Sequence, residues 1–202
     1  HPNAAKKIYQ DLSADFSAIE PPIWAGMLAS HCRVKGYGVD ILDCEALHLD
    51  DPQSVEKIGK ANPKVACFVI YGQQPSASSQ NMEGSVPVAE LLKKTYPGIK
   101  ILFVGGHVSA LPREVMERHS FIDMVCQNEG VTTISNLLNT NLNDQLDKVA
   151  GLGFRQNGGM ILNAPSPIVG KENLPRELPG VAWHLLPMKK YSENLLKNLM
   201  MH

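Results

Sequence analysis

The chain has 202 residues, of which 44% are hydrophobic, and this is enough for one packed domain with an appendage. Its formal net charge of -1 provides no long-range field that would gather nucleic acid or anionic lipid, so neither nucleic acid nor a membrane is an expected partner. No apolar run approaches the roughly 20 residues that span a bilayer, and His1-Pro2-Asn3 does not begin a signal peptide, so the sequence predicts a cytoplasmic protein.

The first part of the chain predicts a helix, a strand and a second, weaker helix. Pro21-Pro22 favour a helix start, and apolar residues then recur at helical spacing up to Gly36. The run Val39–Asp43 predicts a strand, and Pro52–Ala61 predicts the weaker helix. A helix that packs on a parallel sheet normally follows a strand, but no apolar run precedes the first helix. We therefore expect the first strand to be truncated, with His1-Pro2 as its tail.

The central stretch predicts a strand, a helix and a second strand. Val65–Ile70 and Ile99–Val104 are short, continuous apolar runs, which are typical of strands buried on both faces of a parallel sheet. Between them, Val86–Lys94 has helical spacing. Such a βαβ unit crosses over with a right hand, so both loops that follow its strands open at the carboxyl edge, where α/β sheets bind ligands. The sequence thus predicts an α/β fold with a doubly wound parallel sheet.

The rest of the chain adds further elements and divides it into three parts. Pro112–Arg118 predicts a short helix, Phe121–Cys126 a strand, and Val131 the start of a helix. Val149–Phe154 and Met160–Asn163 predict a hairpin whose turn supplies positive φ angles. We therefore expect an α/β domain over 1–148, a β-hairpin appended to it over 149–163, and a Pro-rich strap or linker over 164–202.

The four cysteines are far apart in the sequence and lack the spacing of metal sites. Neither a Cys-x-x-Cys pair nor a Cys-x-x-x-Cys-x-x-Cys triplet occurs, so structural zinc and a locally bound iron–sulfur cluster are not expected. We predict that all four are core thiols. They are Cys32, Cys44, Cys67 and Cys126.

Three loops at the predicted carboxyl edge are candidates for function. Tyr71–Met82 is a loop rich in hydroxyl and carboxamide groups that suits a polar, uncharged ligand, or it is a flexible surface loop. Gly105-Gly106 lets a bulky group approach the backbone, or it forms a tight strand-to-helix turn. His107 binds a ligand or is solvated, and Glu129-Gly130 contacts a hydroxyl-rich ligand or caps the following helix.

The usual phosphate-binding and catalytic motifs are missing from the sequence. It contains no Gly-x-Gly-x-x-Gly opening a helix, no Gly-x-x-x-x-Gly-Lys-Ser/Thr and no Gly-x-Ser-x-Gly. No group of base, nucleophile or metal ligands is recognisable, so we predict neither catalytic nor metal-ligating residues in this chain.

Several segments together resemble the N-terminal cobalamin-binding domain of the cobalamin-dependent radical SAM protein family. They are Ala18–Gly26, Ile70–Met82, Val104–Pro112, Cys126–Gly130 and Leu178–Met188, so the resemblance covers nearly the whole chain. It implies a flavodoxin-like (Rossmann-like) sheet with the corrin over the loops of its carboxyl edge and the nucleotide tail in a slot between the Ser-rich and Gly-Gly turns. The cofactor-binding residues that it implies are Tyr71, Gly72, Gln73, Gln74, Pro75, Ser76, Ala77, Ser78, Gly105, Gly106, His107, Gln127, Asn128, Glu129 and Gly130.

The sequence departs from the family pattern in three places. The Asp-x-His-x-x-Gly motif, whose His ligates cobalt in classical cobalamin carriers, is absent, and Asn3-Ala4-Ala5-Lys6 stands in the corresponding loop. Asn128 stands where the family usually has the first Gly of Gly-Glu-Gly. The Cys triplet of the radical SAM barrel is also absent. We therefore expect this chain to bind cobalamin base-off without a His lower ligand, and not to generate a radical by itself.

The leading hypothesis is a cobalamin-binding domain from a larger radical SAM enzyme that acts in methyl transfer or related radical chemistry. Its partners would be cobalamin and a radical SAM domain, with S-adenosylmethionine and a 4Fe–4S cluster confined to that catalytic domain. The alternative is a non-catalytic flavodoxin-like module that binds a nucleotide-like ligand or a protein partner.

Overall fold

A computed structural model describes residues 1–4, 19–71, 75–140 and 142–192, with the backbone alone for 75–77. In it, a five-stranded sheet has the strand order β1-β2-β3-β4-β5. The first three strands are parallel, and the last two form an antiparallel hairpin that continues the same sheet. The strands are β1 (Val65–Ile70), β2 (Lys100–Gly105), β3 (Met124–Cys126), β4 (Leu152–Gln156) and β5 (Gly159–Leu162).

Helices connect and cover the strands. They are α1 (Ile23–Val34), α2 (Asp51–Ala61), α3 (Pro75–Thr95), α4 (Gly106–Ala110), α5 (Pro112–Arg118), α6 (Val131–Leu138) and α7 (Leu174–Glu177). Short 3-10 turns occur at Leu146–Lys148, Lys171–Asn173 and Trp183–Leu185. None of the helices in the described residues is long and apolar enough to cross a membrane.

Side chains on the two faces of the sheet belong to separate hydrophobic clusters. Alternate residues of β1 and β2, such as Phe68 and Phe103, pack with α2, α3 and α5. Their neighbours, such as Val69 and Leu102, pack with α1 and α6 on the opposite face. Helices therefore cover both faces of the sheet, and the predicted doubly wound α/β fold is confirmed.

Local sequence signals explain most of these elements. The predicted helix over residues 52–61 is present as α2, where the Asp50 side chain accepts a hydrogen bond from the Gln53 amide (2.8 Å) and the Gln53 side-chain oxygen accepts one from the Asp50 amide (3.0 Å). The predicted hairpin is also present, and Asn157 and Gly158 in its turn have φ angles of 52° and 76°.

Two predicted strands differ in the structure. Residues 39–43 do not form a strand, because among the described residues only His1 lies beside them as a backbone partner. The amino group of His1 donates to the Leu42 carbonyl (2.9 Å), and its carbonyl accepts from the Cys44 amide (2.9 Å). The strand predicted over residues 121–126 is shortened to β3. Before it, the Asp123 carboxylate accepts the Ile101 amide (2.7 Å), so a side chain takes the place of a ladder carbonyl.

Two further predictions are wrong. The loop predicted over residues 71–82 is largely helical, because Pro75 suits the first turn of a helix and Ser78 and Met82 are buried against the sheet. Cys67 is exposed and is not a core thiol, although Cys32, Cys44 and Cys126 are buried. Cys67 is the one exposed residue of β1, which is an edge strand within the described residues.

The Pro-rich strap, defined here as residues 164–192, packs against the domain. The Ala182 amide donates to the Gly26 carbonyl of α1 (3.1 Å). Further along, the Tyr191 hydroxyl donates to the buried carboxylate of Asp43 (2.6 Å). The described part of this segment thus packs on the domain, where Leu186 and Tyr191 share a small hydrophobic cluster with Ala46.

Buried His31 joins α1, α6 and the strap. Its Nδ1 lies 2.6 Å from the Glu177 carbonyl, and its Nε2 contacts the Ser135 hydroxyl. A neutral ring satisfies both contacts, since Nδ1 then donates and Nε2 accepts. Burial is the largest influence on this ring and lowers the pKa of His31.

We predict that the free energy of unfolding falls as the pH drops below about 6.5, the ordinary pKa of His. The unfolded chain binds a proton at His31 in this range while the folded chain resists it, so acid favours unfolding. His31→Asn keeps the donor to Glu177 and removes the titration, so urea unfolding of this variant should depend less on pH than that of wild type. Equal slopes for the two proteins between pH 5 and 7.5 would contradict the prediction.

Candidate functional site

The three predicted loops meet at one edge of the sheet. Ile70 pairs with Gly105, and Val104 pairs with Cys126, so the ends of β1, β2 and β3 are level. We use the name carboxyl edge for the described residues that follow these ends. They are Tyr71, Ser78, Gly105, Gly106, His107, Gln127, Asn128, Glu129 and Gly130. Of the other predicted site residues, Gly72, Gln73 and Gln74 lie outside the described residues, and the side chains of Pro75, Ser76 and Ala77 are not described.

The two consecutive glycines have different roles. A Cβ atom at Gly105 would lie 2.0 Å from the Ile70 carbonyl oxygen, so the close approach of β1 and β2 requires glycine here. A Cβ atom at Gly106 would meet nothing nearer than the Ser78 Oγ at 3.6 Å, an ordinary contact. The tight-turn interpretation therefore applies to Gly105, and Gly106 leaves space beside the backbone.

The Ser78 hydroxyl links the ends of β1 and β2. It donates to the Ile70 carbonyl and accepts from the His107 amide (3.0 Å). The adjacent Ser79 hydroxyl lies 2.9 Å from the Nδ1 atom of His107. The start of α3 is thereby fixed against the Gly-Gly turn, and the His107 ring is held by a side-chain contact.

The side chains of the third loop turn towards the hairpin and the strap. Gln127 donates to the Asn163 carbonyl (3.1 Å). The Glu129 carboxylate accepts the Val169 amide (3.0 Å). The predicted capping role of Glu129 is wrong, because α6 begins after Gly130 without a side-chain cap and this carboxylate is engaged by the strap.

Gly130 itself has a structural reason to be glycine. Its φ angle is 76°, and a Cβ atom there would lie 2.6 Å from the Val104 Cγ2 atom. The chain must therefore turn closely over the end of β2 before α6 begins.

An aromatic pair at this edge joins Tyr71, a predicted site residue, to Trp24, which was not predicted. The rings of Trp24, in the first turn of α1, and Tyr71 stack with centroids 4.6 Å apart and planes 23° apart. The Tyr71 hydroxyl donates to the Asn128 carbonyl (2.9 Å), and the Tyr71 carbonyl accepts from the Asn81 side chain (3.0 Å). Topology was the available signal for Trp24, since the first turn of a helix that follows a strand lies at the carboxyl edge.

Burial also defines the chemical character of the edge. It raises the pKa of Tyr71 well above its ordinary range, and the neutral phenol donates to the Asn128 carbonyl. The one carboxylate among the described residues of this edge, Glu129, is bonded to the strap. The remaining groups are hydroxyls, carboxamides, backbone amides and one imidazole, which suit a polar ligand without strong charge.

A family model for the B12 binding domain matches residues 9–138, well over half of the chain. The chain belongs to the B12-binding domain family. The resemblance inferred from the sequence motifs is therefore confirmed.

Curated relatives of this B12-binding domain are much longer proteins. An anaerobic magnesium-protoporphyrin IX monomethyl ester cyclase from Synechocystis is 26% identical over 85% of the chain. A 2-(S-pantetheinyl)-carbapenam-3-carboxylate methyltransferase from Streptantibioticus cattleyicolor is 30% identical over 82% of the chain. The chain spans 33% of the cyclase and 23% of the methyltransferase.

Solved structures share the fold at low sequence identity. The cobalamin-dependent S-adenosylmethionine radical enzyme OxsB, with aqua-cobalamin and S-adenosylmethionine bound, matches 90% of this chain and 24% of its own with a TM-score of 0.68 and 18% identity. The radical S-adenosylmethionine methyltransferase TsrM from Kitasatospora setae matches 75% of this chain and 29% of its own, with a TM-score of 0.58 and 14% identity.

Replacing the two glycines of the Gly-Gly turn should separate their roles. We predict that Gly105→Ala lowers the free energy of unfolding by about 3 kcal/mol, because a methyl group there collides with the Ile70 backbone. Gly106→Ala should change it by less than about 1 kcal/mol, since space is available. Urea unfolding of both variants measures the difference, and equal losses would show that the two positions are equally crowded.

Proposed function

We propose that the carboxyl edge of this B12-binding domain binds cobalamin and that the domain belongs to a larger radical SAM enzyme. The observation that carries the proposal is the arrangement of Ser78 and Gly106. The Ser78 hydroxyl bridges the ends of two parallel strands, and Gly106 beside it has no side chain to fill the adjacent space. The two residues would form the wall of the slot for the nucleotide tail.

The described residues fit such a cofactor. Cobalamin is bulky and carries many amide groups, and this edge offers the exposed pair of Ser79 and His107 and the space beside Gly106, with little charge. Ser78 and His107 would face the nucleotide tail, while the stacked rings of Trp24 and Tyr71 offer an apolar surface at the same edge. The residues Gly72 to Ala77 are proposed as further contacts.

The enzyme as a whole is proposed to act in methyl transfer or related radical chemistry. Cobalamin supplies a cobalt centre that carries a methyl group or an electron between donor and acceptor. S-adenosylmethionine and a 4Fe–4S cluster are assigned to a catalytic domain outside this chain, and a solved structure of TsrM holds both cobalamin and a [4Fe–4S] cluster. The relatives reported above include a methyltransferase and a cyclase, which supports the reaction class.

The lower face of cobalt is proposed to lack a protein His. The classical motif is absent, and two His residues near the edge have other contacts: His107 with Ser79, and His1 with Glu45 at 3.3 Å. We propose that residues around Asn3 and Tyr9 shield this face if it is not left empty or filled by water. The Asn3 side chain donates to the Leu49 carbonyl (3.3 Å), and Tyr9 lies outside the described residues.

We predict that bound cobalamin is base-off and that no protein nitrogen ligates cobalt. Electron paramagnetic resonance of the Co(II) form should then show no nitrogen superhyperfine splitting, in wild type and in His107→Ala alike. Splitting that is present in wild type and lost in His107→Ala would identify His107 as the ligand and reject this part of the proposal.

Binding itself can be tested with the isolated chain. After incubation with hydroxocobalamin and desalting, the protein fraction should retain the visible spectrum of the cofactor. Gly106→Val should weaken binding by about tenfold or more, because its side chain occupies ligand volume, with little change in melting temperature.

Gly98→Val, in the turn before β2, is the matched control, since a Cβ atom at Gly98 meets nothing within 4 Å. It should bind like wild type. A colourless wild-type protein would favour a module that binds another ligand or a protein partner. Equal affinities of wild type and Gly106→Val would reject the proposed slot.

A further inference from the structure

Asn128 is the point where three parts of the molecule meet. Its amide donates to the Ser109 hydroxyl after β2 (2.7 Å), and its carbonyl accepts from Tyr71 after β1 (2.9 Å). Its side-chain Nδ2 donates to the Ser166 carbonyl of the strap (2.6 Å). The backbone groups of Asn128 thus belong to the carboxyl edge, whereas its side chain belongs to the strap.

The backbone of Asn128 has a conformation in which glycine is usual. Its φ angle is 56°, in the left-handed region that Asn tolerates better than most residues. A glycine would satisfy the same backbone geometry but would have no donor for Ser166. Asparagine is therefore slightly less favourable than glycine for the backbone conformation at this position, but its side chain adds a hydrogen bond to the strap.

A second contact fixes the strap at the same place. The Val169 amide donates to the Glu129 carboxylate (3.0 Å), and Ser166 is buried beside Gly151, whose Cβ atom would lie 2.8 Å from that of Ser166. Residues 166–169 of the strap are thus held directly against the third loop of the carboxyl edge. A displacement of this segment would break bonds made by two consecutive loop residues.

The contacts continue from Asn128 across the carboxyl edge. The Tyr71 hydroxyl is bonded to the carbonyl of Asn128, and the Tyr71 ring stacks on Trp24 at the start of α1. The orientation of this aromatic pair therefore depends on where the loop holds the Asn128 carbonyl. The loop position in turn depends on the strap.

We propose that Asn128 is a positioning residue that couples docking of the strap to cofactor binding at the carboxyl edge. This inference rests on the proposed function, because it takes cobalamin as the ligand of that edge. With the strap docked, Asn128 holds Tyr71 and the third loop in the arrangement that receives the cofactor. Linkage makes the effect reciprocal, so bound cobalamin stabilises the docked strap by the same factor.

Asn128→Gly tests the proposal because it keeps the backbone conformation accessible and removes only the side-chain donor. Hydrogen exchange of the Val169 amide reports strap docking, and titration with hydroxocobalamin reports affinity. Asn157→Gly is the matched control: Asn157 also has a positive φ angle (52°), but it lies in the β4–β5 turn, away from the strap contacts described.

Asn128→Gly should speed exchange at Val169 in cofactor-free protein and raise the dissociation constant of hydroxocobalamin by about fivefold, the factor typical of one hydrogen bond. Added hydroxocobalamin should slow this exchange in wild type and in Asn157→Gly, and slow it less in Asn128→Gly. Asn128→Asp, which places an acceptor against the Ser166 carbonyl, should behave like Asn128→Gly. A merely structural role would alter melting temperature without changing the response of Val169 to the cofactor.

The possible failures are distinguishable. If Asn128→Gly matches Asn157→Gly in Val169 exchange and in affinity, the positioning role is wrong although cobalamin binds. If bound hydroxocobalamin leaves the exchange rate of the Val169 amide in wild type unchanged, the coupling is wrong. If wild type does not bind hydroxocobalamin, the proposed function fails and the coupling fails with it, whereas faster exchange in cofactor-free Asn128→Gly would still establish the contact between Asn128 and the strap.

Discussion

The close approach of the Gly105 backbone to the Ile70 carbonyl is the constraint on which the carboxyl edge depends. With only 2.0 Å available for a Cβ atom, no other residue fits between the two strand ends without displacing one of them. Ser78 then bonds to the end of β1 through the Ile70 carbonyl and to the first turn of α4 through the His107 amide. These contacts fix the position of the Gly-Gly turn relative to the start of α3.

The third loop is fixed by different means. Gly130 turns closely over Val104 at the end of β2, and Asn128 is bonded to groups from two other loops. The polar side chains of Gln127 and Glu129 contact the hairpin and the strap. The residues predicted at this edge are therefore of two kinds. Some, such as Gly106, lie beside open space, and others, such as Glu129, fix the position of the loop through hydrogen bonds.

Elements with strong local signals could be predicted from the sequence. They are the apolar runs of β1 and β2, the capped helix α2 and the Asn157-Gly158 turn. In each of them, a few neighbouring residues are enough to specify the local structure. Ser78 could not be recognised as helical in this way, because the burial of Ser78 and Met82 against the sheet outweighs the weak helix preference of a serine-rich segment. The segment Val39–Asp43 has the composition of a strand, but among the described residues it lacks a long enough backbone partner.

The candidate site could be predicted as a set of loops, but not in its internal contacts. The order of strands in a parallel sheet places the loops at one edge, and this needs no knowledge of side chains. The stack of Trp24 on Tyr71 and the bond from Asn128 to Ser166 join residues that are 47 and 38 positions apart, and no local pattern encodes them. Such contacts decide which polar residues are available to a ligand.

Amide chemical shifts of the isotope-labelled chain, recorded with and without hydroxocobalamin, would locate the ligand most directly. We expect the largest changes at the carboxyl edge, at Tyr71, Gly106, His107 and Asn128. Amides at the opposite edge, such as Lys100 and Asp123, should change little. Changes concentrated at that opposite edge, or spread evenly over the surface, would contradict a cobalamin site formed by the three loops.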